Sequence, residues 1–440
     1  MPHLKPFIFL ALMFSLLLVA CQQPSREIEP TQIPTETEAA ISKMVTAVPP
    51  PSPTSPTTPT HSNNLDIYRA GLTTAAQDSL DDLSNASIYD IEVDINFDEA
   101  LVTGNQSVVY TNNHATELAE VYFHLLPNLL SGTIDLSNVT VDGEPVEPVL
   151  EEAFDSVMRV PLETPLAPGE SVTFEMDFVT AVPNQLERNY GVFAQVDDIM
   201  ALSHFYPMVA VYDDEGWNIA PASEQGDATY SDAAFYHVTV TADEEQVVAG
   251  SGVALRETNA DGKQTIELAI GPARDFYLAI SPRYEKVSRT VGETTINSYA
   301  PAEFMHGAED AAAFAADALR IFNERFEPYP YTELDIVATS TLALGIEYPG
   351  IIALTSREYD PDNPVNPNVP NEIYMETTTA HEVAHQWFYN LVGNDQLDEP
   401  WLDEAVTQYV TYLYYLDMYG EAAANEYKES WNGRFDRVDN

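Results

Sequence analysis

Residues 88–290 alternate between apolar and polar side chains along most of their length. Segments 91–97 and 172–178 show the period clearly, reading Ile-Glu-Val-Asp-Ile-Asn-Phe and Val-Thr-Phe-Glu-Met-Asp-Phe. A period of two is typical of strands that have one buried and one solvated face. Turn-forming segments such as 141–144 (Val-Asp-Gly-Glu) separate these runs, and helical periodicity is nearly absent. We therefore expect an antiparallel, all-β N-terminal domain over residues 65–290.

The pattern changes near residue 300, where apolar residues recur at helical spacing. They predict a helix over residues 308–326, which Pro328 and Pro330 would end. Four later segments complete this part of the chain: strands over 334–339 and 351–354, and helices over 377–391 and 401–419. The expected fold class is therefore multidomain β plus α/β, with an α/β domain over residues 291–440.

The N-terminal part carries a targeting segment and a linker. Residues 1–20 combine Lys5 with an apolar run, which is typical of a signal peptide and is short for a membrane span. The run ends Leu-Val-Ala-Cys at Cys21, which resembles the bacterial lipoprotein box with its lipidated cysteine. Residues 21–64 predict a tether, because segment 24–60 contains nine Pro, eight Thr and four Ser. We expect an exported lipoprotein, anchored by its lipid to the outer side of the bacterial cytoplasmic membrane or to the cell surface.

The cysteine content and the charge exclude several kinds of site. With a single Cys, the chain cannot form an intrachain disulfide or a cysteine-rich zinc ribbon. It has 70 Asp and Glu against 18 Lys and Arg, a formal net charge of −52. This charge repels phosphate backbones, so we expect no nucleic-acid partner. A solvated acidic surface accounts for the charge, and an electrostatic device for cationic substrates is the alternative.

Segment 381–385 reads His-Glu-Val-Ala-His within a predicted helix. Residues four apart lie on one helix face, so His381 and His385 can bind the same ion. Glu382 is displaced around the helix and would reach a metal-bound water, where a general base belongs. Catalytic zinc typically keeps three protein ligands and an open position. Glu404, which follows after eighteen intervening residues, can return a carboxylate from a second helix and is the expected third ligand.

This spacing resembles the gluzincin aminopeptidases of the aminopeptidase N and leukotriene hydrolase type. Their pattern is H-E-x-x-H, eighteen residues, and then Glu within W-L-N-E-G. Segment 401–405 reads Trp-Leu-Asp-Glu-Ala, so Asp403 and Ala405 stand at the two differing positions. The G-A-M-E-N loop of the family is matched more loosely by Leu-Gly-Ile-Glu-Tyr. The resemblance assigns Gly345 and Glu347 to substrate binding, with the carboxylate of Glu347 holding the free α-amino group.

The resemblance also implies a fold and a reaction. An antiparallel β saddle domain would precede a thermolysin-like α/β zinc peptidase domain. One Zn²⁺ per chain would be held by His381, His385 and Glu404, and Glu382 would act as general base on peptides with a free N-terminus. Two alternatives stay open: a zinc peptidase without strict N-terminal specificity, and a catalytically silent gluzincin-like binding lipoprotein at the cell surface.

One element of the family is not identified in the sequence. Its members stabilise the oxyanion with a Tyr several tens of residues beyond the second-helix Glu, and only residues 405–440 follow here. The tyrosines of the predicted Glu404 helix suit packing and surface positions better: Tyr409, Tyr412, Tyr414 and Tyr415. We therefore expect the native chain to continue beyond residue 440. We expect no ligand among the β-domain histidines: His114, His124, His204 and His237.

Overall fold

The computed structural model of the chain describes residues 65–222, 226 and 228–438. The predicted signal peptide (1–20), Cys21 and the tether (21–64) lie outside these residues. Among the helices in the described ranges, none combines the length and the apolar character needed to cross a membrane.

The first part of the chain is built almost entirely from strands. In chain order they are β1 Ile88–Asn96, β2 Leu101–Thr111, β3 Leu118–His124, β4 Thr133–Val141, β5 Glu144–Pro145, β6 Val149–Glu151, β7 Val157–Leu166, β8 Ser171–Ala181, β9 Phe193–Val196, β10 Ile199–Ser203, β11 Met208–Val209, β12 Tyr212–Asp213, β13 Gly216–Trp217, β14 Ala234–Asp243, β15 Val247–Gly250, β16 Val253–Ala260, β17 Lys263–Ala273 and β18 Tyr277–Ser281.

The second part mixes strands with the longer helices. Its strands are β19 Tyr284–Val291, β20 Thr294–Pro301, β21 Glu333–Thr339, β22 Gly345–Tyr348 and β23 Ile351–Thr355. The helices of the described chain are α1 Ser79–Asp82, α2 Met305–Arg325, α3 Ser356–Tyr359, α4 Asn371–His385, α5 Trp401–Tyr419 and α6 Glu421–Val438. The predicted order, a β part followed by an α/β part, is confirmed.

The largest sheet of the β part has eight strands, in the order β16-β17-β14-β1-β2-β8-β4-β5. The predicted alternation holds along β8, where Val172, Phe174, Met176 and Phe178 are all buried. Neighbouring strands are antiparallel except β1 and β14, which run parallel. The prediction of a purely antiparallel domain is wrong at this pair, because alternation specifies which face a side chain takes and not the direction of the neighbouring strand.

The α/β part contains a five-stranded sheet in the order β19-β20-β21-β23-β22. Strands β20, β21 and β23 run parallel, and β22 pairs antiparallel with β23 at the edge. Strand β19 belongs to this sheet through its hairpin with β20. The sheet therefore begins at Tyr284, before the predicted domain boundary at residue 291.

Helix α4 differs from its predicted position by six residues at each end, whereas α5 has the predicted bounds. The helix ends at His385 and not at the end of segment 377–391. Tyr389 has a φ of +153°, which is outside the helical region. Trp387 packs against Phe326 at a ring distance of 6.5 Å. The apolar residues after His385, which predicted a longer helix, therefore belong to a turn that packs against the core.

Helix α4 packs against α2, α5 and the edge strand β22. Ala380, Val383 and Ala384 on this helix are fully buried, as expected for a helix enclosed on several sides. The His-Glu-x-x-His segment therefore lies between an edge strand and the start of a second helix.

Candidate metal centre and active site

Helix α4 brings the two predicted imidazole ligands together. The Nε2 atoms of His381 and His385 are 3.2 Å apart. His385 is buried, and its Nδ1 donates a hydrogen bond to the backbone oxygen of Phe388 at 2.9 Å. A carbonyl oxygen only accepts, so this bond fixes the tautomer that leaves the Nε2 lone pair available. Burial, and then the charge of His381, lower the pKa of His385 to about 4, which keeps this ring neutral near pH 7.

Glu404, in the first turn of α5, supplies the carboxylate of the cluster. Its Oε2 lies 3.4 Å from Nε2 of His381, and its side chain is 49% exposed. One donor atom from each of His381, His385 and Glu404 lies within 4.8 Å of the others. Partial removal from water raises the pKa of Glu404, but the hydrogen bond with His381 and the charges of both histidines outweigh this effect and lower the pKa to about 2. Burial lowers the pKa of His381, but Glu404 outweighs it and raises the pKa above its ordinary value.

Glu382 lies beside this cluster without belonging to it. The residue is 4% exposed, and its Oε2 has no hydrogen-bond partner in the part of the chain that the structure describes. Burial is the main cause that raises the pKa of Glu382 to about 8, while the charge of His381 opposes the rise. Gly345 of β22 lies against this carboxyl group. The structure thus brings the predicted general base into contact with a predicted substrate-binding residue.

Glu347 lies on the edge strand β22 and not on a loop, because Gly345–Tyr348 folds back on β23 through a Pro-Gly turn. Glu347 is 8% exposed, and its Oε1 lies 3.6 Å from Nδ1 of His385. Glu347, His385 and Asp403 form a second group of donor atoms within 4.8 Å. The two predicted functions, metal binding and substrate binding, therefore meet at His385.

Asp403 fixes the start of α5. It is 2% exposed, and its Oδ2 accepts a hydrogen bond from Nε2 of Gln396 at 2.7 Å. Its Oδ1 accepts the backbone N–H of Glu404 at 2.9 Å. Burial is the main cause that raises the pKa of Asp403 to about 6. Asp403 stands where the W-L-N-E-G pattern has Asn, and its two hydrogen bonds stabilise the first turn of α5, which carries Glu404.

A small crevice, partly open to solvent, adjoins Glu347. Both parts of the chain line it, through Ser203, His204, Asp275, Glu347, Tyr389 and Gln396. His204 belongs to neither donor group, but its Nε2 lies 3.1 Å from Oδ2 of Asp275. The same Oδ2 accepts the hydroxyl of Tyr389 at 2.5 Å. Sequence patterns did not indicate Asp275 or Tyr389, because these residues are 114 positions apart and neither lies in a motif.

The tyrosines of α5 take packing and surface positions. Tyr414 donates to Glu376 at 2.9 Å, and the hydroxyl of Tyr415 is hydrogen bonded to that of Thr377 at 2.6 Å. Tyr409 is 58% exposed. The hydroxyls of Tyr414 and Tyr415 are therefore engaged by the N-terminal half of α4.

Comparison with known proteins identifies similarities over both parts of the chain. Residues 311–436 match the family described as "Peptidase family M1 domain". Aminopeptidase 2 of Candida albicans is 24% identical over 342 residues, which are 74% of this chain and 34% of that protein. Glutamyl aminopeptidase of Homo sapiens is 24% identical over 357 residues, which are 76% of this chain and 35% of that protein. The chain therefore spans about a third of the length of these relatives.

Solved structures share the fold. The M1 zinc metallopeptidase from Deinococcus radiodurans gives a TM-score of 0.55 at 18% identity, covering 80% of this chain and 74% of that chain. A mutant of that protein bound to a Tyr-Ser-Ala substrate gives a TM-score of 0.58 at 18% identity, and the match covers 80% of this chain and 75% of that chain. The arrangement of a β part followed by an α/β part is thus found in solved structures.

Proposed function

We propose that this chain, whose residues 311–436 match the peptidase family M1 domain, is a zinc aminopeptidase that removes N-terminal residues from peptides. One observation carries the proposal. His381, His385 and Glu404 converge within 4.8 Å, next to the buried carboxyl group of Glu382. The first three residues can bind the metal ion, and Glu382 can transfer the proton during peptide hydrolysis.

The three donor atoms fit one zinc ion. Zinc–nitrogen bonds of roughly 2.0–2.1 Å at a tetrahedral angle separate two imidazole nitrogens by about 3.3 Å. The Nε2 atoms of His381 and His385 are 3.2 Å apart, and Nε2 of His381 is 3.4 Å from Oε2 of Glu404. Two imidazoles and a carboxylate are a donor set typical of catalytic zinc, with one position left open. The hydrogen bond from His385 to Phe388 supplies the outer support that such ligands need.

Glu382 is the proposed general base and acid. Bound Zn²⁺ would supply Lewis-acid activation of water and of the scissile carbonyl. Glu382 accepts the proton of the attacking water and then delivers it to the leaving amine. Burial raises the pKa of Glu382 above its ordinary value, and the charge of a bound Zn²⁺ would act in the opposite direction and favour the carboxylate form that accepts the proton.

Glu347 is the proposed anchor for the substrate's N-terminus. A carboxylate that accepts a free α-ammonium group places the first peptide bond at the catalytic group. Its position next to His385 and at the wall of the crevice supports this role. The burial of Glu347 and its contact with His385 favour one alternative, a zinc peptidase without strict N-terminal specificity in which Glu347 mainly orients that ligand.

The membrane association of the protein is also a proposal. Cys21 at the end of an apolar run and the Pro/Thr-rich segment 21–64 support an exported lipoprotein held by its lipid outside the cytoplasmic membrane. Labelled fatty acid should be incorporated into the wild-type protein and not into the Cys21→Ala variant. Equal labelling of the two proteins would contradict the lipid anchor.

Substrates with free and blocked amino termini test the proposed activity. The zinc-loaded chain should cleave fluorogenic aminoacyl substrates and free peptides, and leave the same peptides uncut when the amino group is acetylated. Equal cleavage of free and acetylated peptides would support the less specific peptidase. Zinc binding without cleavage of either kind would support the silent binding protein.

A further inference from the structure

Three hydrogen bonds from the β part of the chain hold the turn that follows α4. Arg274, between β17 and β18, donates from Nε to the backbone oxygens of Tyr389 at 2.6 Å and Asn390 at 3.2 Å. Its Nη1 donates to the backbone oxygen of Ser231 at 2.8 Å. The next residue, Asp275, accepts the hydroxyl of Tyr389 at 2.5 Å. These contacts of Arg274 and Asp275 with Tyr389 and Asn390 are called the Arg274 clamp below.

The clamp holds the same turn that orients His385. The backbone oxygen of Phe388 accepts the Nδ1–H of His385, and the next two backbone oxygens along the chain are those that Arg274 holds. The N–H of Asn390 donates back to the backbone oxygen of His385 at 3.2 Å. A shift of this turn would therefore move the acceptor that fixes the imidazole ring. Groups in this outer position set the tautomer and the orientation of a metal-bound histidine.

The site is built to accommodate an arginine. The Nε–H of Arg274 is shared between the adjacent carbonyl oxygens of Tyr389 and Asn390 while Nη1 reaches Ser231, and the charge of the guanidinium strengthens each hydrogen bond. Gly393 leaves the necessary space, because a Cβ atom there would overlap the guanidinium group. Tyr389 is 4% exposed and has a φ of +153°, a conformation that residues with a side chain rarely adopt. The hydrogen bond from Arg274 to its backbone oxygen and the hydrogen bond from its hydroxyl to Asp275 hold Tyr389 in that conformation.

We propose that Arg274 is a positioning residue through which the β part sets the orientation of the zinc ligand His385. The inference rests on the proposed zinc site. The same clamp fixes Tyr389 as a wall of the crevice beside Glu347. Arg274 acts through the backbone of the turn, and its effect should therefore reach metal binding as well as substrate binding.

Zinc affinity tests the proposal without reference to peptide cleavage. Arg274→Gln in the full chain should weaken zinc binding about 10- to 100-fold, the range for outer-shell partners of metal ligands, in competition with a chromophoric chelator. The visible absorption of the Co²⁺-substituted protein should change as well, because it reports the geometry of the bound ligands. Arg256→Gln is the matched control, since Arg256 also lies in the β part but is 66% exposed and paired with Glu267.

Arg274→Lys keeps the charge and one contact and should lose less zinc affinity than Arg274→Gln. If Arg274→Gln does not fold, Arg274→Lys alone carries the test, with an expected weakening of about 3- to 10-fold. Wild-type zinc affinity and Co²⁺ spectrum in a folded Arg274 variant that only melts at a lower temperature would overturn the proposal. Failure of the wild-type chain to bind zinc would instead contradict the proposed function.

Discussion

Gly345 on the edge strand β22 lies directly against the carboxyl group of Glu382 on α4. A Cβ atom built on Gly345 would be 2.6 Å from both Cγ and Cδ of Glu382, closer than real Cβ atoms approach other heavy atoms. The absence of a side chain at residue 345 therefore sets the distance between the edge strand and the proposed general base.

Gly345→Ala should displace either the strand or the carboxyl group of Glu382. Because a misplacement of about 1 Å can cost on the order of 100-fold in rate, we expect kcat to fall by about that factor while zinc stays bound. Gly71→Ala is a suitable control, since the nearest atom to its new Cβ, a methyl of Val253, would be 3.4 Å away. Steady-state kinetics and zinc content would check this, and wild-type kcat in Gly345→Ala would contradict it.

Glu382→Gln should keep the metal and lose turnover. The amide has nearly the shape of the carboxyl group but cannot take the proton of the attacking water, so kcat should fall by about 10²- to 10⁴-fold. Zinc content by elemental analysis and hydrolysis of an aminoacyl substrate measure the two effects. Glu372→Gln, at an exposed position of the same helix, should behave like wild type. A zinc-loaded Glu382→Gln protein of normal activity would rule out the general-base role.

Removal of zinc should abolish hydrolysis and lower thermal stability. A metal that binds the folded chain alone stabilises it by about 2.7 kcal/mol at a concentration of 100 Kd. Dialysis against a chelator should therefore lower Tm, and added Zn²⁺ should restore both Tm and activity. Glu404→Ala should show no such response to zinc, whereas Glu399→Ala, at an exposed position nearby, should respond fully. A zinc response in Glu404→Ala equal to that of wild type would contradict the ligand assignment.

Glu347→Gln separates the two possible roles of that carboxylate. If it binds the α-ammonium group, KM for free peptides should rise by about 10- to 100-fold, as expected for a lost hydrogen bond to a charged group of about 1.5–3 kcal/mol. If it mainly orients His385, zinc affinity should fall and the ratio of activities on free and acetylated peptides should stay constant. Kinetics on both kinds of peptide and a zinc titration decide between these results.

Asp335→Asn should change the pH dependence of stability. Burial, and then the charge of Glu333, hold the pKa of Asp335 well above its ordinary value, against the hydrogen bond from Asn297. A carboxyl group with a raised folded pKa favours folding below its unfolded pKa of about 4, and this contribution is lost as the pH rises through the folded pKa. The free energy of unfolding of Asp335→Asn relative to wild type should therefore increase from about pH 4 toward neutrality. Urea unfolding across that range would show it, and a constant difference would contradict it.

The local features of the site could be predicted because they depend on the geometry of one helix. The spacing of four residues places His381 above His385 whatever surrounds α4. The bounds of that helix were less predictable. Trp387 continued an apolar pattern that favoured further helix, but its ring packs against Phe326, and the chain turns at Tyr389. A pattern of apolar residues indicates that the residues are buried, but it does not indicate whether they belong to a helix or to a turn.

By itself, the sequence determined the alternation that makes the β part, the helical face that joins His381 and His385, and the candidate carboxylate Glu404. These follow from repeat distances along one strand or one helix, which the backbone fixes locally. Only the tertiary structure placed Glu347 against His385 and linked Arg274 to the turn behind that ligand. These contacts join residues that are far apart in the chain, so they depend on how sheets and helices pack and leave no periodic signal in the sequence.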